Sequence, residues 1–301
     1  MKTFVEKDRG CEAAFLISGP YWHAYTSGKD TPVFLVNDDD MKFAMNLIAQ
    51  ASALNPSVSI LAFEVMNNHF HFVLNALQED IVQFWECFAK RLGRFYPQVK
   101  GIPLLLKSID NIKSLRNTIA YTHRNGYVAN PDYTPFSYPW GSGRYYFLDD
   151  PCGVPLSEIR IRERRDLFKC RTSQIPEDWQ LINGYISPKS YCDISFGMSM
   201  FRDAHHYFST ISKNVEAYNG VATEIDDGEF LTDSELFTQI CTIIKSRYGV
   251  SLIKDLSKAQ RIELAKMLHY DYRSSNGQIR RLLSLTQYEI DSLFPLSAIK
   301  K

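Results

Sequence analysis

Apolar and polar positions change period several times before residue 130. Residues 14–26 (AFLISGPYWHAYT) are apolar and aromatic enough for a strand, interrupted by Gly19-Pro20. Residues 39–54 (DDMKFAMNLIAQASAL) switch to helical spacing, with Phe43, Leu47, Ile48 and Leu54 near one face and acidic residues at the start that suit the helix dipole. Asn55-Pro56-Ser57 stops that helix. Residues 57–66 (SVSILAFEVM) and 69–75 (HFHFVLN) read as two strands joined by Asn67-Asn68, a hairpin signal. Residues 79–96 predict an amphipathic helix, 102–109 a short buried strand, and 110–125 a helix opened by Asp110 and closed before Gly126. The order strand, helix, strand, strand, helix, strand, helix is the split βαβ pattern of a ferredoxin-like antiparallel sheet with one further helix, so an α+β fold is expected.

Beyond this the pattern weakens. Residues 127–147 (YVANPDYTPFSYPWGSGRYYF) are dense in Tyr, Phe, Trp, Pro and Gly, which predicts an ordered aromatic loop. Residues 149–222 carry no assignable pattern, although Arg160, Arg162, Arg164, Arg165, Lys169 and Arg171 alternate as along a strand edge that tracks DNA or pairs with acids. Six carboxylates and no Lys or Arg between Glu224 and Glu235 mark a junction. After it, 233–249, 257–270, 275–284 and 287–294 read as short helices with Ser257, Ser275 and Thr286 as N-caps. The expected division is therefore 1–148, an insert at 149–222 and a helical unit at 223–301.

Composition adds limits. Over 301 residues, 45% hydrophobic and 23% charged content is that of a globular protein rather than a disordered or fibrous one. Thirty-four Lys+Arg balance thirty-four Asp+Glu, so the total charge does not advertise a polyanion partner. No apolar run approaches the ~20 residues of a membrane span, and residues 1–30 lack a signal-peptide pattern, so a cytoplasmic protein without a membrane partner is expected. Six cysteines without a C-x-x-C pair imply neither a zinc knuckle nor a disulfide framework. Metal chemistry would then rest on histidine and oxygen ligands.

His69-Phe70-His71 lies in a predicted strand, where side chains alternate, so both imidazoles point one way and Phe70 enters the core. At ~7 Å apart along the backbone, two such histidines can share a metal, or they are simply two polar residues on a half-buried sheet. Tyr121 and Asn125 stand four apart on the last predicted helix and share a face. If that helix packs on the histidine face, Asn125 can offer an oxygen to the same metal and Tyr121 can aim its hydroxyl at whatever the metal polarises. Taken alone, Tyr121, one of seventeen tyrosines, reads first as a core or surface aromatic.

Three ordered segments carry a resemblance. VMNNHFHFVL (65–74) is similar to the M-P-N-H-hydrophobe-H signature of HUH endonucleases of the single-tyrosine transposase family, and IAYTHRNGYVANP (119–131) to their Y-I-H-x-N-P-V segment. YPWGSGRYY (138–146) resembles the Y-P-W-S-S-x-x-x-Y motif of the branch associated with repetitive extragenic palindromes, and YWHAYTSG resembles the family's first strand. The match spans residues 14–147. Asn67 and Gly126 stand where the family usually has proline.

The resemblance implies an HUH endonuclease fold, His69, His71 and Asn125 as ligands of Mg²⁺ or Mn²⁺, and Tyr121 as nucleophile. His123 matches the motif's histidine but, two residues from Tyr121, points off the shared face as a packing or phosphate-contact residue. A phenol with pKa ~10 is a poor nucleophile at neutral pH, and a metal on the scissile phosphate would stabilise the developing charge. Two imidazoles and an amide oxygen leave open positions on an octahedral ion for phosphate oxygens. Attack would give a 5′-phosphotyrosine and a free 3′-hydroxyl, so strand transfer rather than hydrolysis is implied.

Charge is local where the total is not. Residues 89–124 hold eight Lys+Arg (Lys90, Arg91, Arg94, Lys100, Lys107, Lys113, Arg116, Arg124) against Asp110, a local charge of +7. This reads as a phosphate-tracking surface for single-stranded or hairpin DNA, with Lys90, Arg91, Arg94, Lys107, Arg124 and Arg144 as the DNA-contact candidates. Aromatics of 127–147 can stack bases, although packing on the sheet is the alternative for most of them. Residues 258–294 resemble a helix-turn-helix with its turn at Leu283–Thr286, a unit suited to duplex DNA or to a protein partner. A non-catalytic DNA-binding protein that retains the fold, and a hydrolytic metal phosphoesterase, are the competing readings. The sequence is compatible with a monomer or a homodimer, with Tyr121 serving either subunit.

Overall fold

Where apolar residues alternate, the chain builds a four-stranded antiparallel sheet from β1 (Tyr21–Tyr25), β2 (Ser59–Val65), β3 (Phe70–Asn75) and β4 (Leu105–Ile109), in the order β2-β3-β1-β4. The computed structural model describes residues 15–16, 18–28, 30–129, 133, 136–148, 153–170, 174–213, 231, 233–270, 272, 274 and 276–294. These fall into two compact units, Met1–Tyr127 with Tyr133–Asp227, and Val128–Asp132 with Gly228–Lys301. The first strand is shorter than the expected 14–26 because Pro20 has no N–H for a ladder.

Register decides the two faces. His71 lies opposite Tyr25 and Glu64, and His23 opposite Val73 and Lys107. These residues share one face. Phe63, Phe70 and Phe72 turn to the other, where Phe70 and Phe72 meet Phe84, Trp85 and Phe88 of α2 (Gln78–Phe95). That layer also holds α1 (Asp38–Leu54), opened by a capping box in which Asn37 accepts from Asp40 N–H. The third helix, α3 (Ile112–Ala129), begins two residues later than expected, with Asn111 accepting from Ser114 N–H, and runs straight through Gly126.

β2 is an edge strand, and the aromatic loop covers its edge. Val65 N–H donates to Trp140 O (2.8 Å) and Ser142 N–H to Phe63 O (3.0 Å). The hydroxyls of Tyr138 and Tyr146 donate to Val65 O and Leu61 O, each at 2.7 Å. Alternate carbonyls of the edge, at 61, 63 and 65, are thus satisfied by one loop, which closes the strand to further pairing. Tyr138, Trp140, Tyr145 and Tyr146 are buried here, so packing rather than base stacking is their role.

Ser142 joins this edge to α3. Its Oγ accepts from Phe63 N–H (2.9 Å) and bonds His123 Nε2 (2.8 Å), and His123 Nδ1 meets the Tyr207 hydroxyl at 2.8 Å. His123 is therefore a buried packing residue, not a phosphate contact, and burial drops its pKa to about 3. Ser142→Ala would leave the Phe63 N–H without its acceptor and His123 Nε2 without its partner, a loss of roughly 2–4 kcal/mol. Urea unfolding should show the lower midpoint with an unchanged slope.

Residues 153–213 add a three-stranded antiparallel sheet of β5 (Val154–Pro155), β6 (Gln180–Ile182) and β7 (Tyr185–Ile186), and the helices α4 (Ile161–Phe168), α5 (Ile194–Ser199) and α6 (Ala204–Lys213). Asn46 of α1 anchors this segment by donating to Gly184 O and accepting from Ile186 N–H, both at 3.0 Å. The basic run at 160–169 is a helix, not a strand edge; its charged middle offers no alternating apolar face to bury, and only Phe168 at its end is fully buried. Arg164 pairs with Glu177 at 2.6 Å.

The second unit contains α7 (Asp233–Ile243), α8 (Lys258–Tyr270), α9 (Asn276–Leu283) and α10 (Gln287–Leu293) around Leu236, Ile240, Leu264, Leu268, Ile279, Leu283 and Ile290. Ser257 and Thr286 cap α8 and α10 as expected from their sequence. Several of its cations are engaged internally: Arg281 with Asp233, Lys258 with Glu289, and Arg247 with Glu263. Most of the acidic strip, and Ser275, lie outside the described residues.

Candidate active site

α3 lays Tyr121 across the histidine face of the sheet. The Tyr121 ring stands edge-on to His71 (centroids 5.5 Å apart, 86° between planes) and to His23 (5.8 Å, 72°). His69 and His71 meet at 4.9 Å, also nearly perpendicular. Two of the expected ligands and the expected nucleophile therefore come together. Asn125 lies one turn further along α3 and is buried. The next residue, Gly126, donates its N–H to the Glu64 carboxyl on the neighbouring strand.

Hydrogen bonds set the ring of His69. The Asn68 amide nitrogen donates to Gly28 O (2.7 Å) and Thr31 O (2.9 Å), so its Oδ1 faces His69 Nδ1 at 2.7 Å. His69 Nδ1 must then carry the proton and donate, which places the lone pair on Nε2. His71 uses Nδ1 as well, at 3.2 Å from His23 Nε2. Burial and the neighbouring imidazoles of His69 and His23 hold His71 well below its ordinary pKa, and burial, helped by Lys107, lowers His23 to about 3. His23 and His71 are neutral near pH 7. Glu64 is held well above its ordinary value by burial, offset in part by the Gly126 N–H.

This donor chemistry suits a divalent cation. Each of the paired rings has Nδ1 in a hydrogen bond, which leaves Nε2 as the nitrogen that a cation would take. Among the described residues no three His, Cys, Asp or Glu side chains are grouped to hold a metal ion. A shell built on His69 and His71 thus needs oxygen from elsewhere, which the Asn125 amide, water or a phosphate supplies in kind.

The site is closed in this conformation. His69, His71, Tyr121 and Asn125 are 3%, 0%, 1% and 1% exposed. Gly28 lies so near His69 that a Cβ there would stand 2.7 Å from Nδ1, and Asn68 ties the same loop down. Glycine is required at this contact because any side chain would press on the imidazole.

The basic segment does not form one surface around this site. Lys107 is on the histidine face. Lys90 and Arg94, with Lys100, line a cavity of about 650 Å³ floored by Trp85 and Ile102 beside α2, in the layer behind the sheet. Arg91 donates to Phe168 O (2.9 Å), and Arg116 bonds Met200 O. Arg124 is a correction: it is 2% exposed and donates to Ile211 O at 2.8 Å, so it ties α3 to α6 rather than meeting phosphate at the surface. Arg144 lies over the Tyr145 ring at 5.6 Å. The +7 segment is thus divided by the alternation of helix and strand directions, which a charge sum cannot resolve.

Three residues of the site were not singled out by sequence reasoning. His23 and Asn68 meet Nδ1 of His71 and of His69, and Glu64 receives the α3 backbone. The alternation Tyr21-His23-Tyr25 is a visible signal, but its juxtaposition with His71 depends on register.

No family model matches the chain, and no curated protein does. Among solved structures, a REP-associated tyrosine transposase bound to a REP hairpin matches with a TM-score of 0.34 and 14% identity, over 42% of this chain and 78% of that one. No described helix is long and apolar enough to cross a membrane.

Proposed function

We propose that this chain is an HUH-type endonuclease and strand transferase acting on single-stranded DNA through a tyrosine nucleophile. The observation that carries the reading is the convergence of Tyr121 with the paired imidazoles of His69 and His71, one nucleophile and two oriented nitrogen donors on a single sheet face. The motif order that resembles tyrosine transposases supports it independently of geometry. A hydrolytic phosphoesterase has no need of a tyrosine at this place.

Tyr121 Oη attacks the phosphorus of a phosphodiester and loses its proton to water. The bond from phosphorus to O3′ breaks, and the departing 3′ oxygen takes up a proton. The 5′-phosphotyrosine so formed conserves the bond energy, and attack by a second 3′-hydroxyl restores Tyr121 and joins strands. Mg²⁺ or Mn²⁺ held by His69, His71 and Asn125 would supply neutralisation of the phosphate charge. Lys107 lies on the same face to attract the backbone, while Lys90 and Arg94 sit where only a flanking part of the strand reaches them. Because the nucleophile is buried, the site must open to admit substrate, which favours a slender unpaired strand over a duplex.

End-labelled single-stranded hairpin DNA, incubated with the protein and Mn²⁺, should yield a denaturation-resistant protein–DNA adduct. Excess chelator should reduce its formation by about 100-fold or more, the scale of a phosphate-polarising ion. Cleavage without any adduct would identify a phosphoesterase instead. Binding without cleavage would identify a non-catalytic DNA-binding protein.

A further inference from the structure

We infer that His23 is a positioning residue that accepts a hydrogen bond from His71 Nδ1 and so presents His71 Nε2 to a divalent cation. The inference rests on the metal-site reading above and assigns a role to a residue outside the ligand set.

Each neutral imidazole has one proton and one lone pair. At 3.2 Å, one of the facing nitrogens, His71 Nδ1 or His23 Nε2, must donate to the other. If His23 donates, the proton of His71 lies on Nε2 and that ring cannot ligate. If His71 donates, Nε2 has the lone pair and His23 keeps its proton on Nδ1. That Nδ1 is buried with no hydrogen bond in the structure. The second arrangement is the one in which His71 Nε2 is open to a cation, so coordination there selects it, and His23 as acceptor sets how readily the site takes its ion.

Placement supports the role. His23 is 1% exposed, its ring is tilted by 26° to that of His71, and its edge-to-face contact with Tyr121 at 5.8 Å puts it against both ligand and nucleophile. Asn68 does the same for His69. Both rings of the H-x-H pair are thus addressed through Nδ1, one by an amide and one by an imidazole. Partners of this kind change metal affinity by about 10–100-fold when removed.

The test uses the full chain without DNA. Calorimetric titration with Mn²⁺ alone should show affinity about 10–100-fold weaker in His23→Phe, which keeps the ring but removes the acceptor. His23→Gln, which restores an acceptor oxygen, should return affinity to within about threefold of the original chain or better. In Mg²⁺-loaded protein, imidazole ¹⁵N spectra should place the His71 proton on Nδ1. Unchanged Mn²⁺ affinity in His23→Phe, or a His71 proton on Nε2 in the loaded protein, would overturn the inference. If His23→Phe does not fold, the glutamine variant and the spectrum of the original chain still decide. No Mn²⁺ binding by the original chain would instead sink the metal-site reading, and this inference with it.

Discussion

Tyr121→Phe is expected to abolish the covalent protein–DNA adduct and to lower strand cleavage by ~10³-fold or more, the scale of losing a nucleophile. The substitution removes one oxygen and keeps the ring. The edge-on contacts with His71 and His23 are made by that ring, so helix and sheet should stay in place. Mn²⁺ binding should then be unchanged, which separates loss of the nucleophile from loss of the site. The measurement is denaturing electrophoresis of labelled DNA alongside metal titration of the same preparation. If the variant still forms adduct at the original rate, another residue is the nucleophile and the proposed chemistry is wrong.

The second large effect is expected from Gly126→Ala. Gly126 is inside α3, and a Cβ there would run into the Tyr138 ring and Glu64 Oε1. Its N–H is bonded to the same carboxyl, so the helix backbone rests directly on the sheet at this point. A methyl group must lift α3 or displace Tyr138, whose hydroxyl holds the edge strand at Val65 O. Overpacking of this kind costs about 1–3 kcal/mol. Lifting α3 also moves Tyr121, five residues earlier, away from His71, and a shift of ~1 Å can lower the rate by about 10²-fold. Urea unfolding and single-turnover cleavage should both report the change. A variant with wild-type cleavage at temperatures where it is folded would show that α3 is not held at Gly126.

Gly126 also shows where local reading stops. In sequence it stands as a helix terminator, because glycine favours the C-terminal cap. In the structure the helix continues to Ala129, and the glycine serves a close approach between backbone and sheet. Strand limits erred for a comparable reason at 14–26 and 102–109, where apolar composition extends past the prolines that end pairing. The same-face placement of His69 and His71 was legible because strand alternation is a two-residue rule. The meeting of Tyr121 with His71 was legible only as a condition, that the last helix pack on the histidine face.

Charge was the least transferable quantity. The neutral total concealed a basic segment, and the segment in turn concealed its own division. Lys107 shares the sheet face with His23, Lys90 and Arg94 line a cavity behind the sheet, and Arg124 is buried against Ile211 O. Side-chain direction, not charge count, separates a phosphate contact from a packing cation.

By itself the sequence determined the element order, the β2–β3 hairpin, the shared face of the H-x-H pair and the four-residue spacing of Tyr121 and Asn125. All of these follow from periods of two or 3.6 residues and from turn chemistry, which act over a few neighbouring positions. Only the tertiary structure decided that His23 meets His71, that Asn68 sets the His69 ring, that the aromatic loop closes the β2 edge, and which cations face the site. Those facts depend on strand register and on the packing of helix against sheet. They join residues far apart in the chain, and no local period encodes them.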